Sequence, residues 1–409
     1  MSHIFWRGDA VAVAQVSTVQ LTAYDATTTY TITIGTKTVS VVGTGGTTTT
    51  AATALAAALN ASTIPEFAEV TWSSSTSYII GTADTAGKPF TFTASVTGGT
   101  GTVGSVSDTT PNAGPNVWAA ANFSGGVAPG AGDDVWFKDN AVSVLYGLDQ
   151  TAVAALGSLN FLATYTGLVG LPLMNTDGTL SYYEYRPRSL IHKTDVLKIG
   201  DGQGTGSGRI RVNVLAANDT VITVFSTGQS VDPNARAVHI IGGDSASLLT
   251  VLSGSVDVAL DGGSTAEFAT ITTQRNADVR ISSGVTVATL NAWGQSKVII
   301  DCAATTITQR DGSTVKKGAG NVTTVLLEAG CTLDLQAALT VTALTAQGGS
   351  VLNLENGAGT VTLTDSTFYA TATINDKVGR LVFTNDYAAP NGAHTVNHFT
   401  KAGVVVDVT

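Results

Sequence analysis

The chain has 409 residues with 45 Gly, 12% charged side chains, 43% hydrophobic residues and a formal net charge of -10. Too few Lys and Arg cluster to neutralise a phosphate backbone, so a nucleic-acid partner is disfavoured. No window is long and apolar enough for a membrane span, and no secretory h-region follows Arg7 and Asp9.

Only six of the 30 acidic residues are Glu, while Thr, Val and Gly abound. That balance removes helix formers and favours strands joined by tight turns. The fold class read from it is mainly β. Hydrophobic content is high enough to build a core, so low charge here does not mean disorder.

Residues 1–20 read as an N-terminal arm with an aromatic pair, Phe5-Trp6. Residues 21–112 read as an α+β anchoring module. Tyr30 to Ile34 and Lys37 to Val41 alternate in period 2 around Gly35-Thr36, a hairpin signal. Thr47 to Thr50 supply an N-cap for a helix over Ala51 to Leu59, with Leu55 and Leu59 on one face. Further strands are predicted at Ala68 to Trp72, Tyr78 to Gly81 and Phe90 to Val96. Gly98 to Gly101 and Pro111 to Pro115 have linker composition.

Residues 113–376 read as a parallel β-helix, or β-solenoid, interrupted by loops at 172–212. The clearest signal lies from Ala237 to Asp376. Short apolar runs closed by Gly, Asn or Asp return there, and the triplets beginning at Thr270, Thr289, Thr306, Val325, Ala343 and Val361 recur about every 17 to 19 residues. That period fits one turn of a β-solenoid. Residues 377–409 read as a C-terminal cap whose final residues, Val404 to Val408 among them, cover the last coil or pair with another subunit.

One segment carries a resemblance. Trp118, Asn122-Phe123-Ser124-Gly125-Gly126 and Pro129-Gly130-Ala131-Gly132-Asp133-Asp134-Val135 resemble the opening segment of right-handed β-helix surface and virion proteins. The hairpin and helix of residues 20–97 are similar to modules of tailed-bacteriophage structural proteins. This resemblance implies a right-handed β-helix and a non-enzymatic virion protein, assembled in the host cytoplasm. It implies a homotrimeric head-decorating or head-fibre protein docked on the major capsid protein or another virion protein. Alternatives are a tail fibre or tailspike-like protein contacting host surface glycan, and a bacterial surface adhesin. No family catalytic residues come with it. Independently of the family, Val135-Trp136-Phe137 is expected to cover the open end of the first coil.

No catalytic, cofactor or metal site is predicted. The glycine run from Gly200 to Gly208 lacks the Gly-Lys-Ser/Thr ending of a phosphate loop. His394 and His398 stand four apart, in a stretch that reads as strand or loop, where such a pair does not converge on zinc. His3, His192 and His239 read as isolated. Asp257, Asp261, Asp278, Asp301, Asp311, Glu328 and Asp334 offer carboxylates of the kind a hydrolase uses, but most read as turn residues. Cys302 and Cys331 read as interior side chains, a bridge between coils being the alternative. The contact residues predicted are Phe5 and Trp6 in the arm, and Tyr182, Tyr183, Tyr185, Arg186 and Arg188 in a loop projecting toward another subunit.

Overall fold

The computed structural model describes residues 2–177, 180–203, 206–215, 219–230, 235–390 and 395–398. From residue 113 onward the chain winds as a parallel β-solenoid of about 11 turns. Its strands stack into two parallel sheets, one of 13 strands and one of 11 among the described residues. From Leu248–Val251 to Leu381–Phe383 the chain alternates strictly, one strand to the first sheet and the next to the second.

Register explains the core. In the first sheet a single inward column runs Ile4, Val135, Leu159, Leu197, Ile222, Leu249, Ile271, Leu290, Ile307, Val325, Leu344 and Ser366, each the direct partner of the last. All twelve are buried. Each aliphatic member contributes roughly 1.5–3 kcal/mol by leaving water. Parallel strands buried inside a stack read as β-branched and leucine-rich, as these do. Turns between them use left-handed backbone where nothing larger fits: Gly320 has φ +78, and a β-carbon there would come within 2.4 Å of the Ala303 amide nitrogen;.

The predicted triplets locate the coils, with two offsets. Thr270, Thr289 and Thr306 are paired in turn, but the next partner is Thr324, so the Val325 triplet lies one residue late. Val361 pairs with Leu339, placing its triplet early in its strand. In both cases an apolar residue that faces outward, or one at a strand's start, displaced the apparent frame.

The arm and module boundaries also differ from the reading by composition. His3–Phe5 is the first strand of the solenoid, pairing in parallel with Asp134, Val135 and Trp136. The module is therefore inserted after that strand. Its two crossings run side by side, with Val13 donating its amide to the Ala113 carbonyl at 2.8 Å. Between the two stretches of linker composition lie Thr102–Val103 and Ser107–Thr110, both paired with Val16–Ala23.

Inside the module, the predicted hairpin forms between Thr29–Ile34 and Lys37–Val42. The helix spans Thr48–Asn60, capped by Thr47, whose hydroxyl accepts from the Thr50 amide. A short helix at Pro65–Ala68 was not foreseen. Asn60 ties the helix end to the sheet, accepting from the Trp72 amide at 2.9 Å and donating to its carbonyl at 2.6 Å. Trp72 packs edge-on against Phe90 and Phe92.

Aromatic side chains close the solenoid at its start. Trp6, Trp118, Phe123, Phe137, Phe161 and Tyr165 form one cluster with centroids 4.6–6.1 Å apart. Phe137 takes part, as expected, whereas Trp136 faces outward next to Phe5. At the far end Arg380 is 7% exposed and spends its guanidinium on the carbonyls of Leu335, Ala337, Leu354, Ala358 and Gly359, at 2.7–3.1 Å. The final run Val404 to Val408, read as part of the cap, lies outside the described residues.

Lys317 breaks the apolar rule. In the second sheet it sits in register between Ile300 and Leu335, fully buried, with its Nζ donating to the carbonyls of Cys302 and Ala319. Burial pulls its pKa down to about 8;. Between pH 8 and its unfolded value the unfolded chain then binds more protons, so Lys317 costs stability at neutral pH and this cost is relieved as pH rises through that window. We expect Lys317→Met to be more stable than the native chain at pH 7 by about 1–3 kcal/mol. The gap should narrow toward pH 10.5, the unfolded value, as measured by chemical denaturation of both proteins.

Candidate functional site

Two clusters of polar side chains gather around the interruption at 172–212. The first is a seam between module and solenoid. The hairpin Met174–Asp177 with Leu180–Tyr183 leaves the coil and turns back onto the module. There Glu69, 6% exposed, receives Lys88, Arg186 and the Tyr182 hydroxyl together. Arg186 also donates to Glu184 at 2.9 Å and to the Pro89 carbonyl at 2.7 Å. Its guanidinium lies 4.4 Å from the Tyr185 ring centroid, a cation–π contact;.

Burial alone would lower the Arg186 pKa, but Tyr185, Glu69 and Glu184 outweigh it and the net shift is upward. Burial, with Glu69 beside it, raises the Tyr182 hydroxyl. Arg186 therefore stays protonated and Tyr182 neutral at neutral pH. It fastens two parts of one chain.

This placement corrects the expectation of a projecting contact loop. Tyr182 is 4% and Arg186 9% exposed, and both are spent on the seam. Tyr185 packs on the module core. Trp6 is 2% exposed in the aromatic cap, with its indole N–H on the Val142 carbonyl at 2.9 Å. Phe5 is half-buried beneath Lys138, whose Nζ stands 4.9 Å from the ring centroid. Tyr183, 69% exposed, still presents its ring to solvent.

Arg188 belongs to the second cluster. Asp261 receives Arg188 and Arg211 on one oxygen, Oδ2, and the His239 Nδ1 lies 3.5 Å from the same atom. Arg209, close enough to depress the Arg211 pKa, donates to the Gly170 carbonyl at 2.8 Å. Arg188, Arg211, His239 and Asp261 come from successive turns at the second sheet, Arg209 sharing its turn with Arg211, and Arg211 is the direct partner of His239 and His239 of Asp257. His239 is thus not isolated. His192 is buried against Trp118 in the cap, and His3 lies 3.6 Å from Asp134. Of the pair four apart, His394 is outside the described residues and only the backbone of His398 is described, in strand Thr395–His398.

Several of the other carboxylates are held by neighbouring coils. Arg236 bridges Asp257 and Asp278, Arg310 pairs with Glu328 at 3.0 Å, and Asp334 accepts from Gln336, Asn353 and Asn356. Among the described residues no group of three or more His, Cys, Asp or Glu is arranged to hold a metal, and no helix is long and apolar enough to cross a membrane. Cys302 and Cys331 are buried and unbridged. No family model, curated protein or solved structure matches the chain.

We expect Arg186→Met to lose about 3 kcal/mol, because it strands Glu69 beside a single cation in a dry seam. Denaturation should show module and solenoid unfolding separately, with faster proteolysis between them. Tyr183→Ala, at an exposed position, should change stability by less than about 0.5 kcal/mol.

Proposed function

We infer that this chain is a non-enzymatic structural protein of a phage particle, a fibre or capsid-decorating subunit acting as a homotrimer on the capsid or another virion protein. The observation that supports this most is the unbroken register of the first sheet from Ile4 to Ser366, with short uncharged side chains on its outward side: Thr270, Thr289, Thr306, Thr324 and Ala343 form one such column. A column of that kind keeps length and shape and carries little chemistry. The module, locked to the start of the solenoid, is suited to serve as the docking end.

A tail fibre or tailspike-like protein contacting host surface glycan is the second reading. What favours it is the group of arginines around Asp261, unusual on a chain of net charge -10.

Electron microscopy of intact particles carrying a tag on this chain separates the two. Label over the head is the expected result, label at the tail tip supports the second reading, and absence from particles defeats both. Replacing Thr289, Thr306 and Thr324 together by alanine should leave oligomeric state and incorporation unchanged, as judged by light scattering and particle composition.

A further inference from the structure

We propose that Asn356-Gly357 is a self-modifying site, where the Asn356 side chain closes on the Gly357 amide nitrogen to a succinimide that water opens to aspartate or isoaspartate. The inference is independent of whether the chain resides on a virion. In the first step the Gly357 nitrogen bonds to Asn356 Cγ, and its proton departs with the side-chain nitrogen as ammonia. In the second, water adds to either ring carbonyl and breaks that carbon's bond to nitrogen. Water is the only co-reactant, and no change of oxidation state occurs.

The turn is built in a way that serves this chemistry. Asn356 is exposed, so water reaches it, and among the described residues no acceptor takes the Gly357 amide. On either side the chain is fixed: the Leu354 amide donates to the Asn375 carbonyl at 2.8 Å, and the Ala358 amide to the Gln336 carbonyl at 3.2 Å. The side chain is held as well, its Nδ2 donating to Asp334 Oδ2 at 3.1 Å. Ring closure between neighbours so restrained needs little search. No larger residue can shield the nitrogen, because a β-carbon at Gly357 would collide with the Gln336 carbonyl oxygen. The packing of adjacent coils thus demands glycine at the place where its bare backbone is open to reaction.

The product alters the far end of the rod. Asp334, 3% exposed, loses a donor and faces a second carboxylate in its place, a pairing that disfavours ionisation of both;. In isoaspartate the main chain also runs through the side-chain carbons and gains a methylene just before Ala358 and Gly359. The carbonyls of those two residues hold Arg380. The distal coils therefore loosen as the chain ages, while the aromatic cluster at the start is untouched.

Peptide mapping by mass spectrometry of the full chain, stored at neutral and at mildly alkaline pH, tests this, with isoaspartate identified by enzymatic methylation. The expected result is the mass gain of amide-to-acid conversion at Asn356, faster at the higher pH because the attacking nitrogen must lose its proton. Asn356→Gln, whose ring would be one atom larger, should slow the conversion at least about tenfold. Only the native chain should then lose thermal stability on storage. Asn391-Gly392, the other such pair, lies outside the described residues and is read in a separate peptide. An Asn356 amide that stays intact in the folded chain while a urea-unfolded sample converts overturns the proposal. Conversion no faster than at Asn276, exposed and followed by alanine, does the same. Equal loss of stability in both chains overturns the link to the distal end.

Discussion

Parallel, in-register pairing is the constraint on which this molecule rests. Once Leu290 is stacked between Ile271 and Ile307, every neighbour on those strands is assigned to the inside or the outside, since side chains alternate along a strand;. A slip of one residue would exchange the aliphatic column for the threonine column beside it. The apolar interior therefore sets the outer surface as well, and residues some 20 positions apart in the chain become neighbours at strand spacing. The ion group at Asp261 and the Arg236 bridge are both products of that transposition.

The same rule accounts for the places where polarity is tolerated inside. Lys317 occupies a column position and survives because two carbonyls at a turn are within reach of its long side chain;. Gln309, in the inward column between Ala292 and Leu327, donates to the Ser313 and Thr332 carbonyls. Arg380 goes further and gathers carbonyls from several turns. A solenoid leaves such carbonyls wherever its turns bend out of the ladder, and long polar side chains satisfy them without an added coil.

Much of the fold was legible in the sequence because solenoid coils and the module's hairpin and helix are local patterns. The triplets beginning at Thr270, Thr289 and Thr306 lie in register on successive coils. What was not legible depends on spacing between coils. From Arg188 to Arg211 to His239 to Asp261 the intervals are unequal, so no period aligns them and the cluster stays hidden until the strands are stacked. Trp6, Tyr182 and Arg186 look like surface anchors in a string of aromatic and basic residues. A second part of the same chain covers them, and composition carries no sign of that cover.

His3–Phe5 lies against residues made far later, Ser2 and Asp133 being separated by 131 positions along the chain. During synthesis the first strand has nothing to pair with until the whole inserted module and the strand Asp134–Phe137 have followed it. Loop closure over such a distance is slow unless the intervening chain has already compacted. The module, with its own helix and hairpin, is the part able to fold early and bring the two strands together. Order of emergence and order of assembly thus run in opposite directions at this end of the molecule, and the module acts as the template on which the rod begins.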